Sequence, residues 1–283
     1  APLLLRVSVS LWAKLIQTLR TQRPRDTEAR RQKRRFALHS DRLAGVPPPI
    51  VTVSLFGFEK SERLWAFAQM GFARPAIAIA RGLRFWKLLG SGHGGGFSLR
   101  PNWKRYGLLA VWESADAADA FHAGSAVFQD YRAHAAETWT VRLAPTSAHG
   151  MWSGTNPFTP VERATNDAPS DAPVAVLTRA TLRLSRARAF WSAVPATGEA
   201  LNSAEGLIKS IGVGEAPFIR QATLSFWRSE ADVRAFAYDS SPHREVVRRT
   251  RDEGWYAEEL FARFRPIASE GTWDGRDPLE GLL

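Results

Sequence analysis

Trp112 and Trp227 lie 115 residues apart, and the same offset joins Ser114 to Ser229, Ala120 to Ala235 and Phe121 to Phe236. Solenoid repeats run about 20–50 residues, so a period this long marks a duplicated domain. A second rhyme sets Trp152-Ser153-Gly154 against Trp273-Asp274-Gly275. Each copy must bury its own apolar face, which restricts the chain to two similar units in tandem. The polar, proline-bearing stretch 159–173, "TPVERATNDAPSDAP", is the expected linker. It separates a first unit, 51–158, from a second, 174–283.

Both units carry the same order of elements. "VTVSLFGF" from Val51 predicts a buried strand, "RLWAFAQMGFARPAIA" a helix broken near Pro75, and "YGLLAVWES" at 106–114 a second strand. Ser114 caps a short helix through Phe121, a helix near 125–136 follows, and "WTVRLAPT" returns as a strand. Downstream, "PVAVLTRATL" at 173–182, "RARAFW" at 186–191 and "FIRQATLSFWRS" at 218–229 repeat strand, helix, strand, and Ser229 opens a helix ending near Tyr238. The expected fold class is α+β: two tandem ferredoxin-like units of the dimeric α/β-barrel type, with a basic N-terminal extension.

That extension is where the charge sits. The chain of 283 residues has a net charge of +10, and the eleven Lys and Arg before residue 50, against three acids, account for +8 of it. The remainder is close to neutral, so the high pI describes a tail and no nucleic-acid partner is expected. Leu3, Leu4, Val7, Leu11, Leu15 and Leu19 recur at helical spacing. This is the pattern of a basic amphipathic helix on an anionic membrane surface, through residues 1–35, or of a plain disordered extension. "GVPPPI", 45–50, closes the 1–50 segment as a stiff linker. Lys14 and Arg20 interrupt what would be the core of a secretory signal, so none is expected. The expected location is cytoplasmic, with peripheral contact to the cytoplasmic face of the membrane. The chain has no cysteine, which excludes disulfides, thiolate zinc sites, iron–sulfur clusters and thiolate-ligated haem.

"GLRFWKLLGSGHGGGFSLRPNW", 82–103, packs five glycines into seven residues, and Gly90, Gly92 and Gly95 satisfy G-x-G-x-x-G. A dinucleotide site needs a helix directly after the glycines. Here only "FSLRPNWKR", broken by Pro101, precedes the next strand. No Gly-Lys-Ser/Thr follows either, so a Walker loop is excluded. Two readings remain: a loop that approaches a large, flat or elongated ligand, with Trp86, Lys87, Arg100 and Trp103 beside it, or an ordinary surface hairpin loop.

Of six histidines, His39 lies in the tail, and His122, His134 and His149 read as surface groups. No H-x-x-x-H or H-E-x-x-H pair exists, so a zinc hydrolase has no support. "SPHREVVRRTRDEGW", 241–255, reads as a helix with Ser241 at the N-cap, Pro242 at the first position and Gly254 past the end. His243, Val246, Val247 and Thr250 share one face of it. The helix N-terminus and burial both favour a neutral imidazole, the form a metal binds. His243 is thus either a core histidine or a metal ligand; the matching position in the first unit is Phe128. Among residue types that hold haem iron, the chain offers only His, Met and Tyr. Without C-x-x-C-H, any haem is non-covalent.

"RLWAFAQMG", "FWKLLGSGHGGGFSLRPNW", "ETWTVRLAPT", "GMWSGTNPF", "HREVVRRTRDEGWYAEELFARF" and "GTWDGRDPL" resemble the spheroidene monooxygenase family, from about Val51 to Leu279. The resemblance implies a haem-dependent oxygenase that inserts oxygen at C-2 of an acyclic carotenoid, giving a ketone after a second hydroxylation and loss of water. It implies haem b, dioxygen and reduced ferredoxin as electron donor. It leads to His243 as the proximal iron ligand and to Trp86, Lys87, Arg100 and Trp103 as haem-pocket or substrate-wall residues, while the distal catalytic residues stay unassigned. A non-catalytic haem- or carotenoid-binding protein and a haem dehydratase of similar fold are the alternatives. The long apolar substrate suits a chain with 11 Trp and 16 Phe.

Overall fold

A computed structural model describes residues 48–93, 100–159, 171–193, 201, 203–216, 218–238 and 253–283. Eight strands close into one antiparallel barrel: β1 (Ile50–Gly57), β2 (Leu83–Gly92), β3 (Pro101–Trp112), β4 (Glu137–Gly150), β5 (Val174–Leu182), β6 (Leu207–Ala216), β7 (Arg220–Trp227) and β8 (Tyr256–Gly271). The order around the barrel is β1-β3-β2-β6-β7-β5-β8-β4. Strands β4, β1, β3 and β2 are therefore contiguous, as are β8, β5, β7 and β6. The two sets meet along a long edge, β4–β8, and a short one, β2–β6, where only Gly90↔Gly214 and Ser91↔Val213 pair.

Helices lie outside the barrel: α1 (Arg63–Phe72), α2 (Arg74–Ala78), α3 (Ala115–Gly124), α4 (Ala126–His134), α5 (Ala187–Ala193) and α6 (Glu230–Tyr238). Ser114 caps α3 by accepting from the Ala117 N–H, as expected from the sequence. The break before Pro75 separates α1 from α2. The class is α+β, with an antiparallel ferredoxin-like barrel. One strand, β6, is an addition to the sequence reading, and β2 extends "RFWKLL", which passes as a strand in the sequence. "LRFWKLLGSG" and "LIKSIGVGEA" are β2 and β6, hairpin partners of β3 and β7. Their glycines and partly polar alternation weakened the strand signal. The segment His243–Thr250, like residues 1–47, lies outside the described residues.

Alternation along each strand produces three apolar regions. The lumen is filled by Val53, Val111, Trp139, Trp152, Phe226, Phe264 and Trp273 among others, so it is a packed core and not a channel. Outside, Phe56, Leu88, Tyr106, Leu108 and Trp112 pack under Phe121, Phe128 and Tyr131. On the opposite side Val176, Ala180, Leu182 and Trp227 meet Phe190, Trp191 and Trp255.

The Trp152 and Trp273 rhyme marks the plugs of the barrel. Each tryptophan is buried in the lumen, and each is followed by two residues in the left-handed region, Ser153-Gly154 and Asp274-Gly275. Glu258 of β8 accepts from the Ser153 and Gly154 N–H groups, and Glu137 of β4 accepts from the Gly275 N–H. Each plug is thus tied to a strand of the other set. The chain reaches them through Gly150 (φ 91°) and Gly271 (φ 87°), whose added Cβ would stand 2.2 and 2.1 Å from the carbonyl oxygens of Glu259 and Thr138. Glycine is required there by both backbone and space.

His122 departs from the surface role expected of it. It is half-buried against the Phe128 ring at 4.5 Å, with Nε2 buried and unpartnered. Burial, reinforced by Arg142 and opposed by Asp119, pushes its pKa from 6.5 down to about 4. The unfolded chain therefore binds a proton that the folded chain refuses between those values, and stability falls as pH drops through that window. The fall in melting temperature between pH 6.5 and 4 should be smaller in His122→Leu than in the parent. Gly271→Ala should lower stability by about 1–3 kcal/mol or more, read by chemical denaturation.

Candidate active site

A packed lumen leaves the outer faces of the barrel as the places for a ligand, and the two faces differ. In the first set, Phe56 pairs with Tyr106, Leu88 with Leu108 and Trp86 with Ala110. The residues 115 positions on from Tyr106, Leu108 and Ala110 are Gln221, Thr223 and Ser225, and their partners are Ala180, Gly212 and Ser210. Where one face carries Phe56, Trp86, Leu88, Tyr106 and Leu108, the other carries Ala180, Ser210, Gly212, Gln221 and Thr223. At these positions the second face has smaller and more polar side chains, while Thr178 and Phe261 stand where the first face has Ser54 and Thr140.

Three hydroxyls of the second face are short of partners. Thr178, which pairs with Thr223, and Thr223 itself are about 1% exposed, and Ser210 is 8% exposed. The oxygens Thr178 Oγ1, Thr223 Oγ1 and Ser210 Oγ are buried with no hydrogen bond. Leaving a buried polar group unmade costs about 1–3 kcal/mol, and the first face carries the same cost at the Tyr106 and Tyr131 hydroxyls and His122 Nε2. Beside them the sheet is conventional: Trp227 Nε1 donates to Ser225 Oγ at 3.0 Å, as Trp112 Nε1 donates to Thr52 Oγ1 at 2.9 Å.

A cavity of about 230 Å³ opens where this face meets the first one, at the β2–β6 edge. Gly90 and Gly214 form its floor, Phe67 and Met70 of α1 and Trp103 one side, and Phe218 and Gln221 the other. Behind it, Glu215 accepts from Lys87 Nζ (2.8 Å) and Trp152 Nε1 (2.6 Å). Arg179, buried, reaches Glu215 at 3.4 Å and is bonded to Glu258. Burial raises the Glu215 pKa, but Lys87 and Trp152 outweigh it and hold the carboxyl below its usual range. Glu258 is likewise lowered: its burial is overcome by the Gly154 and Ser153 N–H groups and Arg179.

The sequence-selected residues scatter over this geography. Trp86 sits on the outer face of the first set under the Arg74 guanidinium, 5.2 Å from its ring. Lys87, next in the strand, points inward and is committed to Glu215 and to Ser153 Oγ at 2.8 Å. Arg100 is exposed, and its carbonyl accepts from the His93 N–H at 3.1 Å. Only Trp103 of the four lines the cavity. The histidine at 243 is outside the described residues, and no group of three or more His, Asp or Glu gathers among the described ones. Phe67, Phe218 and the Thr178–Ser210–Thr223 face were not singled out from the sequence. Comparing Leu108 with Thr223 and Tyr106 with Gln221 at the known offset would have exposed them.

Both lowered carboxylates add stability that is present above the ordinary carboxylate range and lost as pH falls through their depressed values. Glu258→Gln should remove the charge that holds the Ser153-Gly154 turn and Arg179, at a cost of about 1.5–3 kcal/mol. It should also flatten the acid limb of the stability–pH curve.

No family model matches the chain. The fold resembles that of an aldoxime dehydratase solved in complex with butyraldoxime, with a TM-score of 0.53 at 10% identity, covering 84% of this chain and 86% of that one. In sequence, the chain is 42% identical over 233 residues to the spheroidene monooxygenase of Rhodobacter capsulatus, covering 82% of this chain and 95% of the relative. It is 39% identical over 235 residues to that of Cereibacter sphaeroides, covering 82% and 71%. At this identity over nearly the whole relative, the chain belongs to the spheroidene monooxygenase family.

Proposed function

We propose that this monooxygenase inserts oxygen at C-2 of an acyclic carotenoid, of the spheroidene-to-spheroidenone type, using non-covalent haem b bound against the outer face of the second strand set. The second face carries the reading. Replacing Phe56, Trp86 and Leu88 by Ala180, Ser210 and Gly212 leaves smaller side chains on this covered face, and the three unpartnered hydroxyls can meet polar edges of a bound ring. When bound, haem supplies the activation of dioxygen, with electrons from reduced ferredoxin.

His243 is the proximal ligand in this reading. It stands 115 positions on from Phe128, whose ring packs 5.8 Å from that of Phe56. The counterpart of Phe56 is Ala180, so an imidazole in place of Phe128 would find space beneath it. The buried rings of Trp227 and Trp255 would keep water from the site. Trp103 serves as substrate wall; Lys87, held by Glu215, serves barrel closure. The domain reading is two tandem ferredoxin-like units, 51–158 and 174–283, joined by 159–173 and preceded by the 1–50 extension. The contiguity of β4-β1-β3-β2 and of β8-β5-β7-β6 supports it.

A carotenoid resides in a bilayer, and peripheral membrane contact on the cytoplasmic side completes the proposal. No helix among the described residues is long and apolar enough to cross a membrane. Leu64, Phe72 and Ile79 on α1 and just after α2 are about 80% exposed, with Arg74 and Arg81 exposed beside them. This is the mix of apolar anchors and cations that suits an anionic surface.

Two measurements test the reading. Protein purified with added haem should show a Soret band that is lost or shifted in His243→Ala; an unchanged band would remove His243 as ligand. Incubation with spheroidene, ferredoxin, a reductase and oxygen should yield oxygenated product; a coloured protein without turnover would be a binding module instead.

A further inference from the structure

We infer that the cavity over the β2–β6 edge is the groove in which an extended apolar polyene lies on its way to the second sheet face. The inference rests on the carotenoid reading above and adds a location for the chain of the substrate. Several observations carry it. The floor is a pair of facing glycines, Gly90↔Gly214, so no side chain stands between the two outer faces at that edge. Gln221, on the wall, belongs to the same face as Thr223 and Ser225, so the cavity lies at the border of the second face. The remaining walls are mostly apolar: Phe67, Met70, Trp103, Val213 and Phe218. The Glu215 carboxylate, also on the wall, is charge-balanced by Lys87 and Arg179 and hydrogen-bonded by Trp152, so the groove suits an uncharged ligand.

The mouth points the same way. Phe67 and Trp103 are both about half exposed and meet edge to face at 5.3 Å. Opposite them Phe218, also half exposed, is held at φ 67°. A bulky residue in the left-handed region is strained, and such strain gathers at ligand clamps. Trp191 Nε1 fixes it by donating to the Phe218 carbonyl at 2.9 Å. Three aromatic rings at a half-open entrance suit the flat π-surface of a polyene. The volume of about 230 Å³ is below the roughly 300–1,000 Å³ that encloses a whole drug-sized ligand. A polyene in this cavity is held there over only a segment of its length.

Gly90 allows a direct test. A Cβ there meets nothing nearer than the Gly214 carbonyl oxygen at 3.9 Å, whereas one on Gly214 would stand 2.6 Å from the Arg220 carbonyl oxygen. Gly90→Phe should therefore fill the groove without straining the strand. Haem-loaded protein is titrated with spheroidene in detergent micelles, reading tryptophan quenching and the shift in carotenoid absorption. Gly90→Phe should bind about ten-fold more weakly or worse, with its Soret band and melting temperature close to wild type. Phe67→Asp, at an exposed position, places a carboxylate at the mouth and should weaken binding in the same direction; it decides the matter if Gly90→Phe melts early. Wild-type binding with undiminished binding by the folded variants overturns the groove and leaves the carotenoid reading standing. No binding by wild type overturns both.

Discussion

Between β2 and β6 the barrel closes on two residue pairs, against a β4–β8 edge that runs from Trp139↔Gly271 to Gly150↔Leu260. Main-chain pairing alone is a weak clasp there. Lys87 and Trp152 from one set of strands and Arg179, Glu215 and Glu258 from the other lace the same end with ion pairs and hydrogen bonds. Arg179 is almost fully buried, and a buried guanidinium is tolerable only when paired, as it is here with two carboxylates. Once the ring is shut, its lumen fills with Trp139, Trp152, Phe226 and Trp273. A ligand of any size is then confined to the outside of the sheet.

The short edge has a second effect. Glycines on both strands let the backbones meet without side chains, so the region where pairing is thinnest is also where the two outer faces communicate. The apolar cavity, the exposed aromatics of α1 and the β2–β3 hairpin, and the second sheet face all converge on it. The two strand sets share a plan and differ in side chains. The first face carries Phe56, Trp86 and Leu88 where the second carries Ala180, Ser210 and Gly212, and the second keeps a core of its own around Trp227, Trp255 and Phe261.

The family's motifs fall on both the frame and the cavity. "GMWSGTNPF" and "GTWDGRDPL" are the two barrel plugs with their obligatory glycines Gly150 and Gly271. "FWKLLGSGHGGGFSLRPNW" supplies the groove floor at Gly90 and its wall at Trp103. The nucleotide reading of that stretch fails for a structural reason: Gly90 and Gly92 lie in β2, and the next described element is the strand β3 from Pro101, not a helix whose N-terminus could receive a phosphate.

Local pattern sufficed for much of this. The Ser114 cap, the break at Pro75 and most strands follow from periodicity, capping and turn chemistry, which act within a few residues. Family membership was legible in the same way, from linear motifs. Other properties needed the folded chain. That Trp86 and Lys87 face opposite sides, that His122 is half-buried without a partner, and that Gly90 lies against Gly214 across 124 residues all depend on strand register and barrel closure. These are long-range pairings that no local window contains. The sequence alone therefore determined the elements and the lineage, and the tertiary structure decided which side chains two similar sheet faces bury and which strands they join.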